Sequence, residues 1–203
     1  QHVSPEVVER LVLGKTEVKT ELRQVCVMFL DIRDFTAFSE SKSPAEVVDY
    51  LNTLFASTID AVTEHHGIVN KFLGDGFMAI FGAPIAEQES CSAAVSAALD
   101  IVARIEQLVA EGKIPPTNVG IGLHAGNAIV GNIGSAERKE YTVIGDVVNV
   151  ASRIEALNKE LGSRVLASEE VWSACNRSDI EATARDSIAI RGRTQPVRVW
   201  QLA

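Results

Sequence analysis

The sequence lacks the cysteine pattern and the long apolar runs that mark several common classes of protein. Its 203 residues contain three cysteines, Cys26, Cys91 and Cys175, which are odd in number and widely spaced. This spacing predicts neither a disulfide framework nor a zinc site, and it favours a reducing compartment. A signal peptide and an apolar run of about 18 residues are both missing, so we expect a cytoplasmic domain. A membrane anchor elsewhere in the full-length protein stays open.

Positive charge is also scarce. The chain carries 19 Lys and Arg residues against 27 Asp and Glu residues, which gives a net charge of −8. Sequence-independent binding of nucleic acid needs a basic surface, so we expect no nucleic-acid partner. A nucleotide substrate is still compatible with this charge, because a metal ion can supply the positive charge. The hydrophobic content of 46% is typical of one globular domain, or at most two small ones.

The start of the chain differs from the rest. Residues 3–13 predict a short amphipathic helix that begins at Ser4 and Pro5, and a polar connector follows. Because the chain begins with Gln1 rather than Met, we expect a fragment of a longer protein with an upstream sensor or membrane domain. We therefore divide the chain into a linker, residues 1–21, and a single domain, residues 22–203.

Two aspartates mark the most informative stretch. An apolar run at residues 25–30 predicts a strand covered on both faces, and it ends at Asp31. Asp75 stands between two glycines, where flanking apolar runs predict a hairpin. If the hairpin lies beside the strand, the two carboxylates meet at one edge of a sheet, and a divalent cation would relieve their repulsion. Each aspartate alone is more often an ordinary turn or strand-end residue, but the pairing and the glycines favour a magnesium-type site.

The order of predicted elements defines a fold class. Helices are predicted at residues 44–65, 87–110 and 146–161 from their apolar periodicity. A second hairpin is predicted around Ala125-Gly126-Asn127. The pattern βαββαβ is ferredoxin-like, so we predict an α+β fold with helices packed on one face of the core sheet. Extra C-terminal strands are predicted at residues 163–167, 186–190 and 197–202.

Three motifs carry a family resemblance. Residues 29–36 (Phe-Leu-Asp-Ile-Arg-Asp-Phe-Thr) and 71–79 (Lys-Phe-Leu-Gly-Asp-Gly-Phe-Met-Ala) resemble the two metal motifs of class III adenylyl and guanylyl cyclase catalytic domains. Residues 141–153 (Tyr-Thr-Val-Ile-Gly-Asp-Val-Val-Asn-Val-Ala-Ser-Arg) resemble the third motif of that family. The motifs occur in the family's order and spacing, and the resemblance covers residues 22–202. It identifies residues 22–203 as a cyclase catalytic domain.

The resemblance also implies a role for particular residues. Two divalent cations, Mg²⁺ or Mn²⁺, would be held by Asp31, the Ile32 carbonyl group and Asp75. Asn149 would orient the ribose, and Arg153 would stabilise the charge that grows on the α-phosphate. The residues implied in binding the base and the phosphates of the substrate are Lys71, Thr142, Phe35, Thr36, Arg138 and Arg191.

Two positions depart from the family's usual pattern. The family usually has Gly where this chain has Asp34, in the loop that cradles the phosphates, and an additional carboxylate there is unfavourable unless it points away. Arg191 stands where the family usually has Lys, so the charge is kept but its geometry differs.

The implied base-binding pair favours ATP over GTP. Lys71 can donate to N1 of adenine, and the Thr142 hydroxyl can accept from its amino group, whereas guanine reverses this pattern. We therefore predict an adenylyl cyclase, of the bacterial subgroup that has Thr at position 142, which converts ATP to 3′,5′-cyclic AMP and pyrophosphate.

The resemblance further implies an active site shared by two antiparallel subunits. The metal aspartates come from one subunit, and the base-reading pair with Asn149 and Arg153 comes from the other. This chain carries both sets, so a homodimer with two equivalent sites is implied. Alternatives are a guanylyl cyclase, a nucleotidyl transferase or diguanylate cyclase without its usual Gly-Gly-Asp/Glu-Glu-Phe turn, and an inactive nucleotide-binding regulatory module. The complete residue set speaks against the last alternative, and Asp34 speaks for it.

Overall fold

The described part of the chain consists of strands that alternate with helices. The structure is a computed structural model, and it describes residues 20–84, 89–134, 139–188 and 196–203. The predicted helix at residues 3–13 lies outside this part, so the domain boundary at residue 21 stays a prediction. The elements are β1 (Glu21–Ile32), α1 (Phe35–Glu40), α2 (Pro44–Glu64), β2 (Ile68–Phe72), β3 (Gly76–Phe81), α3 (Ser90–Ala110), β4 (Val119–Gly134), β5 (Lys139–Ile144), α4 (Asp146–Leu161), β6 (Val165–Ser168), α5 (Glu169–Cys175), β7 (Thr183–Ile188) and β8 (Val197–Gln201).

The strands form one sheet around β1. Its order is β2-β3-β1-β4-β6-β8-β7, and β5 pairs with β4 beside this path. Along β2, β3, β1 and β4 each strand is antiparallel to the next, which is the arrangement expected of a ferredoxin-like βαββαβ core, and β4 is parallel to β6. The strands β6, β8 and β7 extend the sheet at the C-terminal end of the chain. The predicted α+β class with additional C-terminal strands is confirmed.

The strand β1 is buried because both faces of the sheet are covered. Cys26 and Met28 face a core that α2, α3 and α5 complete, whereas Val25 and Val27 face the opposite side. There Val147 of α4 packs against them, together with residues of β3 and β4. Three helices thus cover one face, and α4 covers part of the other. This two-sided burial explains why residues 25–30 are continuously apolar.

The helix α2 begins where the sequence predicts. Ser43 accepts a hydrogen bond from the Glu46 N–H, and the Glu46 carboxylate accepts one from the Ser43 N–H, so both halves of a capping box are present. Pro44 occupies the first turn, where a missing N–H does no harm.

The predicted hairpin around Ala125-Gly126-Asn127 is wrong. The strand β4 runs without a break from Val119 to Gly134. Residues 119–130 of β4 pair with the whole length of β1. Because Gly126 lies opposite Val25 in this ladder, a turn there would break hydrogen bonds on a buried strand. The second half of β4 pairs instead with β5, a strand that the sequence analysis missed.

The close packing of α4 on β4 yields a prediction about two glycines of the same strand. A Cβ atom at Gly122 would overlap the Glu155 main chain, lying 2.6 Å from its Cα atom, whereas a Cβ atom at Gly126 would lie 3.5 Å from the Val147 Cβ atom. We expect Gly122→Ala to lower the free energy of unfolding by about 1–3 kcal/mol, because α4 must shift. Gly126→Ala, the matched control, makes only an ordinary contact and should change it by less than about 0.5 kcal/mol. Urea-induced unfolding measures both values, and equal effects would contradict this packing.

Candidate active site

The structure brings Asp31 and Asp75 to the same end of two neighbouring strands. Asp31 lies near the end of β1, opposite Gly76 of β3, and Asp75 directly precedes Gly76. The Ile32 N–H donates to the Asp75 carbonyl oxygen at 3.3 Å, which ties the two segments together. A Cβ atom at position 76 would overlap the Leu30 carbonyl oxygen, so only glycine permits this approach. The prediction that the hairpin lies beside β1 is confirmed, and it brings the two aspartates to the same end of adjacent strands.

The two carboxylates repel each other in a partly buried setting. Burial raises the pKa of Asp31, and the negative charge of Asp75 raises it further, whereas Arg33 and Lys159 oppose this increase. A divalent cation at this edge would remove the repulsion. Proximity and charge therefore both fit a cation site.

The available ligands also indicate how a cation would be bound. No cluster of three or more His, Cys, Asp or Glu side chains suited to a metal occurs within residues 20–84, 89–134, 139–188 and 196–203. Two carboxylates with one carbonyl group are few ligands, but Mg²⁺ commonly completes its shell with water and substrate phosphates. Asp31, Asp75 and Ile32 therefore fit Mg²⁺ or Mn²⁺ that is held together with a phosphorylated substrate.

The loop that follows Asp31 turns sharply through Asp34. Asp34 has φ 57° and ψ 23°, in the left-handed region, and it is exposed without a capping hydrogen bond from its side chain. Aspartate tolerates this conformation better than most residues, and glycine adopts it freely, which accounts for a glycine in the family pattern. Phe35 and Thr36 start α1; Phe35 is half-buried beside Phe38, and Thr36 is exposed.

An open cavity lies against this loop. It has a volume of about 580 Å³, and the segment from Asp31 to Asp34 forms one part of its lining. The cationic side chains Lys159 and Arg164 form another part. Asp31, one of the two carboxylates that suit a metal, thus shares a cavity with cations that suit phosphate oxygens.

The proposed base-binding residues lie on two strands that one hydrogen bond connects. The Nδ2 atom of Asn70 in β2 donates to the Tyr141 carbonyl oxygen in β5 at 2.8 Å. Lys71 and Thr142 each follow one of these residues in the chain, so the structure brings their backbones to one region. Lys71 is exposed and Thr142 is half-buried.

The helix α4 carries Asn149 and Arg153 on the side away from its own sheet. Its buried stripe consists of Val147, Val150, Ala151 and Ile154. At about 100° per residue, Asn149 and Arg153 lie together roughly opposite this stripe. Asn149 is exposed and Arg153 is half-buried. Arg138 and Arg191 lie outside the described residues, so their predicted roles stay predictions.

The sequence analysis missed Glu155, which contacts the metal loop. The Arg33 guanidinium donates to Oε1 of Glu155 at 2.6 Å and to its carbonyl oxygen at 3.2 Å. Burial raises the pKa of Glu155 to about 7, although the Arg33 charge lowers it. The sequence signal that could have indicated this contact is a pair of glycines. Gly120 and Gly122 leave room on β4 for it.

His124 is a buried histidine of the core with a hydrogen-bond partner. It is buried in β4, and its Nδ1 atom lies 2.8 Å from the Ser168 hydroxyl oxygen. Ser168 in turn accepts from the Val171 N–H at the start of α5. His124 therefore stabilises the junction of the sheet with α5.

The sheet and its paired carboxylates fit the class of nucleotide cyclase catalytic domains. The sequence profile of the adenylate and guanylate cyclase catalytic domain matches residues 17–203, and the chain belongs to this family. The predicted family is thereby confirmed.

Solved structures of both cyclase types are similar to this chain. The guanylyl cyclase Cya2 has a TM-score of 0.80 at 31% identity, covering 91% of this chain and 93% of that one. The adenylyl cyclase CyaB from P. aeruginosa has a TM-score of 0.80 at 30% identity, covering 92% and 96%. A bacterial light-regulated adenylyl cyclase has a TM-score of 0.85 at 28% identity, covering 98% of this chain and 58% of that one.

Curated relatives are longer than this chain. The uncharacterized protein Rv1318c of Mycobacterium tuberculosis is 39% identical over 203 residues, which span 98% of this chain and 36% of the relative. The chain thus spans about a third of the length of this relative. Among the described helices, none has the length and apolar character needed to cross a membrane.

The paired carboxylates predict how the domain binds Mn²⁺. We expect Asp31→Asn and Asp75→Asn each to weaken Mn²⁺ binding by about tenfold or more, because each removes one of the two anionic ligands. Electron paramagnetic resonance of free Mn²⁺ measures the affinity. Asp60→Asn, which changes an exposed carboxylate of α2, serves as the control and should bind like the wild type. Equal affinity in all three variants would exclude this edge of the sheet as the cation site.

Proposed function

We propose that this domain is an adenylyl cyclase that converts ATP to 3′,5′-cyclic AMP and pyrophosphate. The observation that supports the proposal is the hydrogen bond between Asn70 and Tyr141, because Lys71 and Thr142 directly follow these two residues in the chain. The Lys71 ammonium group donates to N1 of adenine, and the Thr142 hydroxyl accepts from the 6-amino group. GTP would offer a donor at N1 to a lysine that can only donate, so ATP is preferred.

The reaction is an in-line substitution at the α-phosphorus. The ribose 3′-hydroxyl group releases its proton to solvent water, and its oxygen forms the new bond to the α-phosphorus. The bond from that phosphorus to the bridging oxygen of the β-phosphate breaks, and pyrophosphate leaves with that electron pair. The protein supplies position and charge rather than a covalent intermediate. Asn149 orients the ribose, and Arg153 stabilises the negative charge that grows on the α-phosphate.

Asp31, the Ile32 carbonyl group and Asp75 would hold two divalent cations, Mg²⁺ or Mn²⁺. When bound, such cations lower the pKa of the 3′-hydroxyl group and neutralise the triphosphate. Main-chain N–H groups of residues 34–36, a segment that includes Phe35 and Thr36, hold the β- and γ-phosphates. Arg138 and Arg191 add positive charge to the triphosphate site.

The active site is shared between two copies of the chain. On α4, Glu155 reaches Arg33 of its own chain, and Arg153, two residues earlier, lies on a different side of the helix. This supports a role for Arg153 and Asn149 in the site of a second copy. Leu22, Ile129 and Ile144 lie side by side across β1, β4 and β5 and are exposed, so they offer an apolar row for that copy.

Guanylyl cyclase activity is the second candidate. The Thr142 hydroxyl can donate as well as accept, so it does not reject guanine by itself. The similarity to the guanylyl cyclase Cya2 also supports this alternative. Since related curated proteins are about three times as long, we further propose that an additional sensor or membrane domain controls the activity.

Product analysis tests the proposal directly. Purified protein with Mn²⁺ and equal concentrations of ATP and GTP should form cyclic AMP faster than cyclic GMP. Asp31→Asn should reduce the rate by at least about a hundredfold, because the cation and its charge stabilisation are lost. A preference for cyclic GMP would identify the domain as a guanylyl cyclase. If confirmed dimers formed no cyclic nucleotide, the domain would be a nucleotide-binding module without cyclase activity.

Complementation tests the shared site. Lys71→Ala and Asp75→Ala should each be inactive alone, yet a mixture should recover about a quarter of wild-type activity. Half of the dimers are then mixed, and one of their two sites is complete. A mixture of Lys71→Ala with Arg153→Ala is the matched control, since both residues belong to the same half of the site and no complete site forms. Equal recovery in both mixtures, or none in either, would refute the shared site.

A further inference from the structure

The guanidinium of Arg33 lies between a carboxylate of the metal site and a carboxylate of α4. Its Nη2 atom donates to Oε1 of Glu155 at 2.6 Å, whereas Nη1 is 3.5 Å from Oδ2 of Asp31. Hydrogen bonds between guanidinium and carboxylate groups normally measure about 2.7–2.9 Å. Arg33 is therefore bonded closely to Glu155 and only weakly to Asp31.

Backbone features near Arg33 and on β4 hold the Arg33 side chain in this position. The Arg33 N–H donates to the Asn118 carbonyl oxygen at 2.9 Å, which fixes the base of the side chain. A Cβ atom at Gly120 would overlap both the guanidinium and the Glu155 carboxylate. Because Gly120 has no side chain, the Arg33 side chain can extend past β4 to α4.

Burial makes Glu155 the carboxylate that needs this cation. The Glu155 side chain is 13% exposed, whereas that of Asp31 is 40% exposed and keeps access to water. A buried carboxylate without a counter-ion is strongly unfavourable. If Glu155 lost its charge, the guanidinium would be released toward Asp31, and a bidentate pair there would occupy the oxygens that a metal needs.

We propose that Glu155 is a positioning residue that binds Arg33, holds the guanidinium away from Asp31 and thereby keeps this carboxylate available to a divalent cation. This inference rests on the proposed function in one respect, because it takes Asp31 to be a ligand of the divalent cation. Its test needs Mn²⁺ alone and no nucleotide.

The test is a Mn²⁺ titration followed by electron paramagnetic resonance at about pH 8, above the Glu155 pKa of about 7. Glu155→Gln should weaken Mn²⁺ binding about tenfold, the usual size of an outer-shell effect, because the released guanidinium then competes with Mn²⁺ for Asp31. The double variant Arg33→Leu/Glu155→Gln lacks the competing guanidinium and should bind Mn²⁺ within about twofold of the wild type. Glu64→Gln, which breaks the surface ion pair with Arg104, is the matched control and should change nothing.

The outcomes separate a positioning role from a structural one. Wild-type affinity in Glu155→Gln overturns the proposal, and so does a double variant that binds as weakly as Glu155→Gln. Circular dichroism verifies folding; if Glu155→Gln does not fold, the double variant decides alone, because a structural role of the pair predicts weak binding there. Absence of Mn²⁺ binding by the wild type refutes the cation site itself, whereas absence of cyclic nucleotide refutes only the proposed reaction.

Discussion

The close approach of two carboxylates, against their mutual repulsion, is the constraint on which the rest of the site depends. Asp31 and Asp75 stay together because they end neighbouring strands of a buried sheet, with a direct hydrogen bond between their segments. Gly76 permits the approach, because any side chain there would overlap the β1 backbone. Folding energy spread over the whole core thus maintains a local arrangement that the isolated residues would avoid.

The helix α4 connects the two halves of the proposed chemistry. One side of it packs on β4, where Gly122 allows close contact, and carries Glu155 to Arg33 beside the carboxylates. The opposite side carries Asn149 and Arg153. Because a helix is rigid over these few residues, a displacement at one side moves the other. This geometry would couple the cation site of one subunit to the ribose and phosphate contacts in the site of another.

Sequence patterns predicted local structure well where one short-range signal decided it. The apolar periodicity of residues 44–65 and the two glycines that flank Asp75 each identified an element boundary that the structure contains. The pattern failed at Gly126, because a glycine followed by an asparagine is typical of a turn. The long ladder between β1 and β4 keeps this segment extended, and that pairing joins residues about a hundred positions apart.

The sequence by itself determined the family, the α+β class and the two aspartates, because motifs and apolar periodicity are local properties of the chain. Only the tertiary structure decided what surrounds them. The partnership of Arg33 with Glu155 and the bond from Asn70 to Tyr141 join residues distant in sequence, and neither has a local pattern. Burial likewise raised the pKa of Glu155 to about 7, a change that requires the packing of α4 on the sheet.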